Sequence, residues 1–189
     1  SSYKNTINYY NNGDTRMTSK LKTDILETVS GSGTIALTNQ LSGMTSASMP
    51  AGHILQTVKS QSTTVNATTS TSFVATSHSV TITPSSATSK ILILHQGMLN
   101  AQAAAKWHWA TLYRNSTNII TTGSASAMGG LYVQGSTDTH VPFTVNHLDS
   151  PNTTSAVTYT IYHRAASASS VRYNADGWEL HFTAIEIKG

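Results

Sequence analysis

The residues able to do chemistry are few, and their spacing is the first thing to read. Eight histidines occur, at His53, His78, His95, His108, His140, His147, His163 and His181. Imidazoles that hold zinc usually come in H-x-H or H-E-x-x-H spacing, or with cysteine partners. Neither spacing is present, there is no cysteine, and only eight Asp and Glu are available as co-ligands. Several histidines stand beside aromatic residues, as His108 does between Trp107 and Trp109. That setting suits a partly buried imidazole bonded to a backbone carbonyl, so no metal is expected. A threefold axis would change this, because one strand histidine would become three.

Hydrolytic and cofactor chemistry fare no better. Serine is abundant, but no G-x-S-x-G elbow positions one as a nucleophile. Glycan cleavage uses two placed carboxylates, and the pairs on offer, Asp138 with Asp149 and Asp176 with Glu179, lie in or beside turn-like segments. Gly31-Ser-Gly33-Thr-Ile-Ala36 spells a dinucleotide loop. Such a loop needs a strand before it, a helix after it and a βαβ unit around it; here "LTNQLSGM" follows and no α/β alternation exists, so a flexible turn is the reading. No catalytic residue, no cofactor and no enzyme activity are expected.

Any positions of interest must then be held by strands. After "MPAGH" (Met49 to His53) the rhythm is β throughout. The expected strands are Ile54–Lys59, Ser72–Thr76, Ser79–Ile82, Lys90–Met98, Trp107–Arg114, Asn118–Thr122, Leu131–Gln134, Val141–His147, Ala156–His163, Val171–Asn174 and Trp178–Ile187. Turn chemistry separates them: "TPSS", "RNST", "GSAS", "DSPNTT", "ASASS" and "NADG". The stretch Ala101 to Ala105 reads as either a helical turn or a tight loop. Short strands at this spacing predict an all-β, antiparallel, jelly-roll-like sandwich.

Most strands alternate, which gives one core face and one wetter face. In "KWHWATLYR", Trp107, Trp109 and Tyr113 share one face and His108, Ala110 and Leu112 the other. Two strands do not alternate: Ile91-Leu92-Ile93-Leu94, and the closing "LHFTAIEIKG", where apolar residues fall on both sides. A strand apolar on both faces needs a second cover, most economically another subunit. Ile91, Ile93, Phe182, Ile185 and Ile187 are therefore the candidate interface of an expected trimer.

Residues 1–49 differ from residues 50–189. "SSYKNTINYYNNGDTR" has no apolar period, and Met17 to Leu37 reads either as a short helix or as strands Thr23–Val29 and Thr34–Leu37. This arm cannot build a core alone, so it is assigned as an extended arm, anchor and connector before a head domain at 50–189. The opening residues lack the basic-then-apolar order of a signal peptide, and no apolar run approaches the ~20 residues of a membrane span.

Bulk composition narrows the partners. The chain has 189 residues, 38% hydrophobic and only 10% charged, with net charge +3 and pI near 9.2. The basic balance comes from a shortage of acids, none occurring between Glu27 and Asp138. Lys and Arg are scattered rather than gathered in a stripe, which argues against nucleic acid.

"ITPSSATSKILIL" (Ile82–Leu94), "TLYRNSTNI" (Thr111–Ile119) and "FTAIEIKG" (Phe182–Gly189) resemble the C-terminal head domains of bacteriophage tail-fibre and virion structural proteins. "SKLKTDILETVSGSGTIALTNQ" (Ser19–Gln40) resembles the connector that precedes such heads. The resemblance implies a homotrimer with its last strand near the threefold axis, an arm docked on other virion proteins, and a location on the particle surface, tail or head. At 189 residues the chain is short for a tail fibre, so a capsid decoration protein remains the alternative, and a secreted lectin-like module the alternative from another class. Exposed aromatics with Asn, Ser and Thr make carbohydrate platforms. The loops "NADGW", "HLDSPNTT" and "GSASAMGG" are the expected tips, with Asn152, Asn174, Asp176 and Trp178 as candidate receptor-facing residues for a host-surface glycan or protein.

Overall fold

The computed structural model describes residues 49–101, 106–121, 123, 125–133 and 138–189. The chain divides into two units, Ser1–Ser42 and Gly43–Gly189, and every described residue belongs to the second. The readings of residues 17–37 and of the alanines after Ala101 lie outside the described residues.

Strands make up all the regular structure described: β1 (Ile54–Ser62), β2 (Asn66–Thr68), β3 (Val74–Ile82), β4 (Lys90–Ala101), β5 (Lys106–Arg114), β6 (Thr117–Asn118), β7 (Gly129–Val133), β8 (Thr139–Asp149), β9 (Val157–Ala165), β10 (Val171–Tyr173) and β11 (Leu180–Ile187). No helix among the described residues is long and apolar enough to cross a membrane. All pairings are antiparallel and form two sheets. Sheet A runs β1-β11-β4-β8, with β10 and then β2 continuing beside the far end of β4. Sheet B runs β3-β9-β5, with β6 and β7 pairing different parts of β5.

With the short strands β2, β6 and β10 set aside, β1-β11-β4-β8 lies over β3-β9-β5-β7. Each strand of the first half therefore pairs with one of the second half: β1 with β11, β3 with β9, β4 with β8 and β5 with β7. That nested-hairpin order is the jelly roll. The expected all-β antiparallel sandwich is what forms.

Local sequence explains the elements. β9, "VTYTIYHRA", alternates buried and half-buried residues along its whole length, so one face must meet the other sheet. The expected strands Ser72–Thr76 and Ser79–Ile82 are one strand, β3, whose register with β9 shifts between Ala75 and Ser79. The irregularity absorbs two extra residues, which keeps the strand whole and leaves its faces in phase. β4 and β8 extend further than expected, to Ala101 and Asp149, because each satisfies the other's backbone from Ile91–Asp149 to Ala101–Thr139. The expected strand at Asn118–Thr122 is a short pair, Thr117–Asn118, and β2 was not expected.

The core lies between the sheets and is built from Ile82, Ile91, Ile93, Leu112, Tyr159, Ile161 and Phe182, all nearly inaccessible, with the rest of the aliphatic cluster. Each such side chain contributes about 1.5–3 kcal/mol by leaving water. Polar groups also enter this core, and Glu186 and Asp149 are each held there by several partners. Glu186, fully buried, accepts from Ser85 N at 2.7 Å, Ser85 Oγ at 2.7 Å, Ser89 Oγ at 2.6 Å and Gln56 Nε2 at 2.5 Å. Burial pushes its pKa up, but the donors from Ser89, Gln56 and Ser85 outweigh that and hold it below the usual carboxylate range. Asp149 accepts from Arg114 Nη1 at 2.9 Å and from Tyr159 Oη at 2.7 Å.

Candidate functional site

The four most buried histidines meet in the middle of the sandwich. His78 comes from β3, His95 from β4, His108 from β5 and His163 from β9, none more than 3% exposed; His78, His95 and His163 surround the Tyr173 ring of β10, and His108 packs on His163. His95 holds Tyr173 Oη through Nε2 at 2.7 Å and the His181 carbonyl through Nδ1 at 2.8 Å. His108 Nε2 and His163 Nδ1 share one hydrogen bond of 3.0 Å, so one donates and the other accepts. His78 Nε2 lies 3.0 Å from the Thr64 carbonyl. Burial lowers His95 to about 4, with His78 adding a smaller push, and lowers His108 to about 3, helped by His163. Burial also lowers His163 to about 4, and it lowers His78. These are neutral imidazoles in hydrogen bonds, and among the described residues no group of three or more His, Cys, Asp or Glu is placed to hold a metal ion.

The first of the two carboxylate pairs separates. Asp138 and Asp149 stand at the two ends of β8, and at roughly 3.3 Å per residue that is far beyond the spacing of a glycosidase pair. Asp149 is held by Arg114 and Tyr159. Asp176 pairs with His140 Nδ1 at 3.1 Å, while Asp138 lies 3.6 Å from His140 Nε2. Glu179 sits 3.4 Å from His181 Nε2.

The candidate interface residues divide between the two sides of sheet A. Ile91 and Ile93 are 0% exposed and Phe182 is 1% exposed, inside the protomer's own core. They are unavailable to another copy, which corrects the expectation for these three. A run without a polar residue carries no phase of its own; here the phase follows neighbours such as Glu186, which pairs with Ile91 and must point inward to its donors. Ile185 and Ile187 point outward and are half-buried. The outward residues of β4 are Leu92 and Leu94, and the register aligns Thr57, Ile185, Leu92 and Leu148 in one cross-strand row. The next row holds Lys59, Thr183, Leu94 and Asn146. Leu148 is 49% exposed and Leu94 37%. Leu92, Leu94 and Leu148 were missed in the sequence, although the unbroken run at 91–94 is the signal that such a row exists.

The outer face of sheet B is aromatic. Trp107 and Trp109 stack at 4.5 Å and 8°, with Tyr132 against Trp107 at 4.8 Å. Tyr113 and Tyr162 stack at 3.8 Å, and the Arg164 guanidinium lies over Phe73 at 5.1 Å and Trp109 at 6.0 Å. His108, Ala110 and Leu112 are the inward residues of β5. The bulkier side of that strand is thus its outer side.

Of the candidate receptor-facing residues, Asn152 is exposed in its loop, with φ of 53°. Asn174 is 0% exposed and is a clamp rather than a contact, a second correction. Its Nδ2 donates to the Trp178 carbonyl at 2.8 Å and its Oδ1 accepts from Trp178 N at 3.0 Å. Its own N–H bonds the Met98 carbonyl at 3.0 Å, and Gly177 N closes the turn on the Asn174 carbonyl at 3.0 Å. Positive φ at Asn174 and Gly177 makes the turn, which suits Asn and Gly. Asp176 ties the loop to His140. Trp178, the residue this circuit fixes, is 58% exposed.

No protein-family model matches the chain, and no curated protein matches it. Among solved structures it is similar to the D431N mutant VP2 protein of infectious bursal disease virus in derived T=1 particles, with 10% identity and a TM-score of 0.35. The match covers 71% of this chain and 36% of that one, so the chain spans about a third of that protein's length.

Proposed function

We propose that this chain is a non-enzymatic structural protein of a bacteriophage particle: a homotrimer of the tail-fibre type, attached to other virion proteins through residues 1–49, whose sandwich head faces a host surface. The observation that carries this reading is the aliphatic row outside sheet A. Ile185, Leu92 and Leu148 lie side by side, with Leu94 in the next row and Ile54, 65% exposed, near the edge. A contiguous apolar strip on one sheet face marks a contact surface, and each aliphatic side chain sealed there adds about 1.5–3 kcal/mol. The row reaches β8, which pairs only with β4 among the described strands, so a neighbouring copy can approach its open edge.

The resemblance of Ile82–Leu94, Thr111–Ile119 and Phe182–Gly189 to phage head domains supplies the particle and the anchoring arm. The mechanism is avidity: equivalent heads held together raise a weak surface contact well above the affinity of one. No cofactor, nucleic acid or membrane insertion enters the proposal.

Sedimentation of the full chain at micromolar concentration tests it. The parent is expected as a trimer, and the double variant Leu148→Glu, Ile185→Lys as a folded monomer. A monomeric parent, or a variant that keeps the parent's mass, refutes self-association through this row. Gold labelling of particles then separates tail from head: label at the tail supports the fibre, label over the head supports a decoration protein, and an unlabelled particle removes the virion reading.

A further inference from the structure

We infer that a trough on the outer face of sheet A, beside Trp178, binds a neutral glycan chain of at least two sugar units. This rests on the reading of the head as an outward binding surface and names the ligand class for it.

The first ground is an indole carried on a fixed backbone. The loop commits a buried asparagine, two positive-φ residues and the Asp176–His140 contact to its shape, and its product is a tryptophan side chain left 58% in water. An aromatic on a fixed backbone has only its two side-chain torsions to lose when a ligand arrives, which is the advantage of a preorganised contact. Trp107 and Trp109 present themselves differently, because they stack on each other. Among the described residues Trp178 stacks on no other ring, and more than half of it is open to a ligand.

The second ground is the shape beside it. Trp178 and Glu179 border a groove of about 310 Å³ with Gln96, Met98, Pro142 and Thr144. A second hollow of about 320 Å³ is lined by Gln61, Ser62, Thr63, Thr64 and again Glu179. The two share one residue, so a chain ligand can occupy both in succession. Each is of a size for small-ligand binding.

The third ground is chemistry. A pyranose ring offers an apolar C–H face and a rim of hydroxyls. Trp178, Met98 and Pro142 suit the face; Gln96, Gln61, Thr144 and the serine and threonine hydroxyls suit the rim by donating and accepting. Glu179 is the charged residue in the lining of both hollows, and its carboxylate accepts from sugar hydroxyls while repelling an acidic sugar. Neutral glycan is therefore the fit.

The test uses the full chain and linear oligomers of glucose, galactose, mannose and N-acetylglucosamine, with oligogalacturonate as the acidic counterpart. Binding is read by indole fluorescence and by ligand-observed saturation-transfer NMR. At least one neutral oligomer is expected to bind, the dimer or longer more tightly than the monosaccharide. Trp178→Ala is expected to weaken it about tenfold or more. Thr144→Arg, which fills the trough and leaves the loop intact, should do the same, whereas Trp107→Ala on the other sheet should not. Silence of every neutral oligomer at about 10 mM, undiminished binding by Trp178→Ala or Thr144→Arg, or tighter binding of oligogalacturonate overturns the inference. Sedimentation of the same samples keeps the two proposals apart, since a trimer that binds no sugar sinks only this one.

Discussion

Lowering the pH from 7.5 to 5 should strip the fold of a large part of its stability, because of the imidazoles at its centre. His95, His108 and His163 are held near 4, 3 and 4 by burial, whereas in an unfolded chain each titrates near its ordinary 6.5. Between those values the unfolded state binds protons that the folded state refuses. Stability is therefore full above about pH 6.5 and declines as pH falls toward the folded pKa. The slope is about 1.4 kcal/mol per pH unit per group, so the fall to pH 5 removes about 2 kcal/mol for each histidine and up to roughly 6 for three. At about 2 cal/mol/K of unfolding entropy per residue, a sandwich of this size loses on the order of 10–20 °C in midpoint. Glu186 lies below the ordinary carboxylate range, and its contribution is lost only as pH falls through that lower region, so it stays outside the window. Thermal scans at constant ionic strength read the midpoint, and NMR of the imidazole protons reads the pKa values directly. His95→Gln, which keeps a donor for the His181 carbonyl and removes one titrating group, should lose less between the two pH values than the parent. Midpoints equal within about 2 °C, or core imidazoles titrating near 6.5 while the fold persists, would refute the reasoning.

Three substitutions probe the other packed features by chemical denaturation. Glu186→Gln keeps an acceptor for Ser85 and Ser89 but turns an amide NH₂ toward the Gln56 Nε2 donor, and should cost about 1–3 kcal/mol. Gly97→Ala places a methyl 1.8 Å from Tyr173 Oη, the group bonded to His95, and should cost about 3 kcal/mol by overpacking. Arg114→Met leaves the mostly buried Asp149 without its cation and should cost about 3 kcal/mol or more; a near-neutral result there would mean that Tyr159 alone satisfies the carboxylate.

What the sequence made legible was periodicity, and what it hid was phase. The alternation of Ala156–His163 announces a half-buried strand, and the structure forms one at Val157–Ala165. In Trp107–Arg114 the two faces are plain, yet nothing local says that His108, Ala110 and Leu112 turn inward while the tryptophans turn out. That choice is made by cross-strand partners such as His163, far away in sequence. For the same reason the unbroken run points to Ile91 and Ile93 as an interface, whereas it is their alternate neighbours that face out. Asn174 shows a different limit: turn chemistry marks it as a loop residue, and only tertiary structure reveals that its amide is fully buried. Trp178 is a candidate receptor-facing residue because it closes the turn-like NADGW loop, but its trough draws on β1, β4 and β8 at once, and no local window contains that.

The nesting of β1 against β11 also bears on biosynthesis. Gln56 and Glu186, which hydrogen-bond across that pairing, are 130 residues apart in sequence. During translation, the first strand leaves the ribosome long before its partner exists, and sheet A stays split until Leu180–Ile187 slides between β1 and β4. The nascent chain must therefore remain soluble in an unfinished state, and its abundance of hydroxyl side chains and scarcity of long apolar runs fit that interval. A stop codon placed just before Leu180 would withdraw an interior stave rather than trim an end.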